Sequence, residues 1–299
     1  MAEGPGQDRG ALRPAAHPAP ATAGMGAMVL AVFLFCLMDA ALKQLSPHYP
    51  PLQMAALRGL ASLPLVSLWA LASVGAAGLL RVRWPLHLLR GVLGIAMMAS
   101  FSYALRSLPL STAYSLFFVA PLLITLLSGP VLGERIGRAR GLALLIGFLG
   151  MLVILRPSGE GLLTPAGLAA LGAAAGYAVS AVTVRVLARR DSTQAMVFWM
   201  MLLMSAGGLL LAAPGWVAVA PAHLPLLGLI GVFGTLGQIA ITLAFSRGEA
   251  SAIAPLEYTA LVWALGLDLL IWQVLPDGPT LLGAALIVLA GLQLSRRGQ

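Results

Sequence analysis

Ten apolar stretches, each close to the length that crosses a bilayer, follow one another through this chain with only short breaks between them. They run over about residues 23–45, 51–74, 86–106, 109–128, 139–156, 163–187, 193–213, 223–246, 251–273 and 279–296. A helix rises ~1.5 Å per residue and the hydrocarbon core is ~30 Å thick, so about 20 residues make one crossing. The breaks carry turn chemistry: Ser46-Pro47-His48-Tyr49-Pro50-Pro51, Gly129-Pro130, Arg156-Pro157-Ser158-Gly159, Ala213-Pro214-Gly215 and Pro276-Asp277-Gly278-Pro279. Charged residues make up 9% of the chain, against roughly 25% in a soluble domain. The expected fold is therefore an all-α polytopic membrane protein with ten transmembrane helices and no sizeable soluble domain.

The second half repeats the first at an offset of 140 residues. Gly91-Val92-Leu93-Gly94 returns as Gly231-Val232-Phe233-Gly234, and the offset holds for Ala104 and Ala244, Ser111 and Ser251, Leu116 and Leu256, Ala120 and Ala260. Five spans per half is an odd number, so the second copy inserts in the opposite direction. The result is two inverted five-helix repeats, an arrangement that lets one midplane site face either side of a membrane. The expected division is a disordered cytoplasmic tail over 1–22, a first repeat over 23–156 and a second over 163–296. The tail is rich in Gly, Pro and Ala and lacks helical periodicity, and the first apolar run is long enough to stay as a span.

Lys and Arg collect in cytoplasmic loops. With ten spans and a cytoplasmic N-terminus, fourteen of the eighteen cations sort to the cytoplasm, among them Arg81, Arg83, Arg90, Arg135, Arg185 and Arg247. Only Lys43, Arg106 and Arg156 fall on the far side, and Arg58 lies within a span. Both termini are expected in the cytoplasm. The net charge of +8 then belongs to loops facing lipid headgroups, and no basic stretch is interleaved with aromatics as single-strand nucleic-acid binders require.

Charges at mid-helix depth are expensive and mark candidate sites. Asp39 and Arg58 are nearly equidistant from the tip of the first hairpin, which sets them opposite each other on antiparallel helices. They read either as a charge site for a zwitterionic solute or outer gate, or as a structural ion pair; Lys43, at i,i+4 from Asp39, competes for the same carboxylate. Glu257 and Asp268 are eleven residues apart, which on a regular helix gives one face and ~16 Å along the axis, two stations on a pathway. Both are candidates for ion coupling, Glu257 foremost. Tyr103, Tyr114, Phe118, Tyr177, Tyr258 and Trp263 supply rings for a cavity wall, or simply packing. Gln238 is deep enough to bind solute or bridge helices. Pro121 and Pro255 are expected to kink their spans, and Gly91, Gly94, Gly231, Gly234 and Gly237 to serve close helix packing.

There is no phosphate-binding Gly-x-x-x-x-Gly-Lys-Ser/Thr loop, the four histidines lie in the tail, loops or span ends, and Cys36 stands alone, so no catalytic residue, metal site or cofactor is expected. An intramembrane enzyme would need a nucleophile with a base at matching depth, and Ser100, Ser102 and Ser180 have no deep histidine. The partners expected are a small-molecule solute and membrane lipid; the small residues along the spans would accommodate a homodimer.

Leu110-Ser111-Thr112-Ala113, then Pro121, then Gly133-Glu134-Arg135, set in two five-helix repeats, resemble the EamA-domain branch of the drug/metabolite transporter superfamily. The resemblance covers residues 23–296. In the second copy Leu275-Pro276-Asp277 stands where that pattern has Gly-Glu. What the resemblance implies is a secondary transporter of the bacterial inner membrane, working by alternating access through a central cavity between the repeats. Members similar to this chain export amino acids of the aromatic, methionine or threonine type, or carry riboflavin, S-adenosylmethionine or nucleotide sugars. Export of amino acids is the leading expectation, with uptake of a vitamin, nucleoside-like compound or S-adenosylmethionine as the alternative.

Overall fold

The computed structural model describes residues 21–134, 137–155, 164–275 and 277–297. Residues 1–20 of the expected tail, Arg135 and the break at 156–159 lie outside them. The described residues form helices and no strands: α1 (Ala21–Leu45), α2 (Pro51–Leu80), α3 (Trp84–Ser107), α4 (Leu110–Phe117), α5 (Val119–Leu132), α6 (Arg138–Leu155), α7 (Pro165–Leu187), α8 (Thr193–Ala212), α9 (Leu224–Arg247), α10 (Ala250–Ile253), α11 (Ala260–Trp272) and α12 (Gly278–Arg297). Eight segments, Gly24–Leu45, Pro51–Leu80, Trp84–Ser107, Thr112–Leu132, Pro165–Leu187, Thr193–Gly215, Pro221–Arg247 and Ala250–Trp272, are long and apolar enough to cross a membrane. The two other expected spans are helices as well, α6 and α12, of 18 and 20 residues.

Two expected spans are broken. Phe118 (φ −67°, ψ 0°) separates α4 from α5. Pro121 explains the break, since it offers no N–H to the carbonyl of Phe117 and its ring would clash with that carbonyl in a continuous helix. In the other half a 3₁₀ segment, Ala254–Thr259, joins α10 to α11, with Pro255 in its first turn. The two breaks occupy repeat-equivalent positions, and their residues Phe118 and Tyr258 meet edge to face with centroids 5.3 Å apart. Gly147 of α6 leaves the space that the Tyr258 ring fills.

The helix ends match across the repeat too. α5 stops at Gly133 (φ 72°), whose N–H returns to the Gly129 carbonyl. α11 stops at Gln273 (φ 57°), 140 residues on. The second copy therefore terminates at Gln273, two residues before the expected Leu275-Pro276-Asp277.

α1 lies along α9 and α3 along α7, while α2 packs on α8 and α6 on α12. Glycine sets the closest approach: a Cβ on Gly208 of α8 would stand 2.9 Å from the Ala56 Cα of α2. Each end of the bundle is tied by side chains. At one end Tyr49 Oη lies 2.7 Å from His223 Nδ1 and accepts from the Ala220 N–H, the Gln53 amide pairs with both backbone groups of Val217, and Arg106 donates to the Ser46 and Tyr49 carbonyls. At the other end the Glu134 carboxylate accepts the N–H groups of Ala250 and Ser251, each at 3.0 Å, and pairs with Arg185 at 3.6 Å. There too Asp191 takes the Arg83 N–H and sits 2.9 Å from His87 Nε2.

Candidate functional site

A central cavity of about 950 Å³, counting its open mouth, lies among α1, α2, α3, α4, α7, α8, α9, the 3₁₀ segment and the start of α11. Breaking the fourth span at Phe118 and unwinding the segment around Glu257 turn side chains inward that a straight helix would point elsewhere. Seven of the expected residues line it: Asp39, Arg58, Tyr114, Phe118, Tyr177, Gln238 and Glu257.

Two carboxylates stand in its wall, each held by one phenol. Tyr114 donates to Asp39 Oδ2 at 2.6 Å, and Tyr177 donates to Glu257 Oε1 at 3.0 Å. Both acids are buried, and Asp39 Oδ1 has no hydrogen-bond partner. The pairs mirror one another with the partners exchanged. In the first half the acid rides on α1 and the phenol on α4; in the second the phenol rides on α7 and the acid on the 3₁₀ segment. A run of touching rings joins the pairs: Tyr114 to Phe101 (5.8 Å), Phe101 to Phe117 (5.6 Å) and Phe117 to Tyr177 (5.2 Å). Met38, Met97, Met98 and Met200 give the remaining wall unbranched, polarizable side chains that adapt to different shapes.

Asp39 and Arg58 face the same space, but no ion pair closes between them. Arg58 donates instead to the Met98 thioether at 3.1 Å and lies over the Phe35 ring at 5.4 Å. Lys43 does not compete for Asp39 either; it reaches Asp268 at 3.7 Å and lies over the Trp272 ring. Asp268 is buried in that contact, outside the cavity. Its expected shared face with Glu257 is lost because the 3₁₀ segment, at three residues per turn, shifts the helical phase between them.

Three expected ring positions lie elsewhere. Tyr103 is 41% exposed and Trp263 38% exposed on the outside of the bundle, where Trp263 packs on Phe33. Tyr258 is buried behind Phe118. Conversely, Arg90 was sorted with the cytoplasmic loop cations, yet it is 1% exposed and lines the cavity. Its place four residues inside an apolar span was the available signal. Phe101, Phe117, Thr242 and Phe245, none of them marked by the sequence pattern, also line the cavity, as does Ser180.

A bundle of bilayer-length helices closed around a cavity with charged, hydroxylic and aromatic walls defines a multi-pass membrane protein suited to holding a small solute. The profile of the EamA-like transporter family matches residues 22–156 and again 164–295, and the chain belongs to that family. Over 273 residues it is 34% identical to the pseudopaline exporter of Pseudomonas aeruginosa, covering 90% of this chain and 94% of that protein. It is 32% identical over 286 residues to the riboflavin transporter of Rhizobium johnstonii, with 94% of both covered. A third relative is the S-adenosylmethionine uptake transporter of Rickettsia conorii, 31% identical over 202 residues and 68% of both chains. A solved crystal structure shares the fold with a TM-score of 0.76 over 92% of this chain and 98% of its own, at 24% identity.

Proposed function

We propose that this transporter is a secondary carrier in a bacterial inner membrane, with both termini cytoplasmic, that exports small amphoteric metabolites by alternating access. Amino acids of the aromatic, methionine or threonine type are the leading solutes. The observation that carries this reading is the pair of phenol-held carboxylates, one from each half, in a single cavity with a buried guanidinium and a wall of rings. Acids meet an amine, the guanidinium a carboxylate, and the rings an apolar side chain.

The ten-span, five-plus-five arrangement is supported by parity. Tyr49 and His223 touch, so they share one membrane face, and an even number of crossings must separate them. α2, α3, α4 with α5, α7 and α8 make five; the sixth is α6, whose 18 residues rise ~27 Å. The Glu134 contact with Ala250 makes the same demand. The packing also supports it: counterparts α2 and α8 face each other, as do α6 and α12, and α1 on α9 is the same relation as α7 on α3.

Counterflow in proteoliposomes tests the reading. With a high internal load of unlabelled phenylalanine, methionine and threonine, labelled phenylalanine should accumulate in wild type. Glu257→Gln should cut its rate tenfold or more, since a hydrogen bond to a charged group is worth about 1.5–3 kcal/mol. Unchanged counterflow in that variant would remove Glu257 from the site. A second reading, uptake of a vitamin, nucleoside-like compound or S-adenosylmethionine, is favoured by the names of the Rhizobium and Rickettsia relatives. Counterflow of riboflavin alone would put it first, and rescue of an auxotroph against resistance to toxic amino-acid analogues would separate uptake from export.

A further inference from the structure

Among the described residues Arg90 is the largest fully buried side chain, and no carboxylate of theirs bonds it. Its Nη1 donates to the Met196 carbonyl at 3.1 Å, and its Nε has no partner. Arg58 is in the same condition: one bond to a thioether, a weak acceptor, and an Nε without a partner. A guanidinium carries five N–H donors in a planar fork and keeps its charge. A buried charge held only for structure needs a paired carboxylate and filled hydrogen bonds, yet Asp39 and Glu257 are bonded to phenols instead. Both arginines line the cavity. Arg58 sits within two turns of the start of α2, at the Tyr49–His223 end, and Arg90 within two turns of the start of α3, at the opposite end.

We infer that Arg90 and Arg58 are anion subsites at the two ends of the cavity, and that the solute is an amphoteric molecule with at least two carboxylates. This rests on the transporter reading and departs from its leading solutes, which carry one carboxylate each. The acids argue against a compact polyanion such as phosphate, which Asp39 and Glu257 would repel. They fit a solute that carries an amine as well as separated carboxylates.

The test uses the full chain in proteoliposomes and three labelled probes, each run in counterflow against its own unlabelled form: γ-glutamylphenylalanine, its C-terminal amide, which lacks one carboxylate, and phenylalanine. Wild type should move the dicarboxylate at least tenfold faster than the amide. Arg90→Gln should lower the dicarboxylate to the level of the amide, and Arg90→Lys should fall between, retaining charge without the fork. Where Arg90→Gln fails to give a monodisperse protein, Arg90→Lys and the wild-type ratio decide. Equal wild-type rates for acid and amide overturn the inference, as does a wild-type preference retained in Arg90→Gln. Movement of phenylalanine without the dicarboxylate overturns it and leaves the amino-acid reading standing; wild-type protein that moves none of the probes, nor riboflavin, overturns both.

Discussion

Tyr177, half-buried, and Tyr258, buried, are phenols with opposite debts to their surroundings. Tyr177 donates to Glu257, so Tyr177→Phe strands a buried carboxylate oxygen and should destabilise by about 1–3 kcal/mol, read as a lower unfolding midpoint in detergent. Tyr258 Oη has no partner. Tyr258→Phe keeps the edge-to-face contact with Phe118 and removes an unsatisfied group, so its midpoint should equal or exceed wild type. Gln273 holds a left-handed conformation at the position where its repeat counterpart is Gly133; Gln273→Gly should raise stability by about 0.5–1 kcal/mol. At this scale the sequence discloses a side chain's depth far better than its direction. Asp39, Arg58 and Glu257 stood out because a charge inside an apolar span is costly wherever it points. Tyr103 and Trp263 could not be oriented, because helices apolar all round carry no polar face to fix their rotation. Arg90 was lost to a rule that counts loop cations by their nearness to span ends.

Among the elements, the ones that make the cavity are those that fail as regular helices. Both prolines were visible in sequence, but a proline announces a break without saying how far the chain unwinds. The first costs one residue of helix, at Phe118; the second yields six residues of 3₁₀ structure that carry Glu257. Pro121→Leu should let α4 and α5 join, withdraw Phe118 from Tyr258 and reduce counterflow, while the protein still purifies as a single species. Helix contacts make a sharper pair of expectations. Gly208→Leu must push α8 off the α2 backbone and should abolish folded yield, whereas Gly172→Leu, with no heavy atom within 4 Å of its Cβ position, should express as wild type.

For the whole molecule, the number of crossings can be checked from outside. In a Cys36→Ala background, His48→Cys and Ala222→Cys should react with an impermeant thiol reagent from one side of the membrane, and Arg190→Cys and Arg247→Cys from the other. Labelling of His48→Cys and Ala222→Cys from opposite sides would contradict the even number of crossings. The membrane class and the internal repeat were legible because bilayer thickness and a constant offset act on sequence directly. The cavity was not, since it depends on which faces of nearly uniform helices meet.

The exchange of acid and phenol between the halves has an energetic consequence. Were the halves identical, the states open to either side in the proposed cycle would be related by a two-fold rotation and equal in free energy, each half occupied. Swapping which helix carries the carboxylate lifts that degeneracy, and every 1.4 kcal/mol by which the two environments differ skews the populations tenfold. In the alternating-access cycle proposed above, the resting orientation would be set by the many positions where the two copies differ, not by the offset they share.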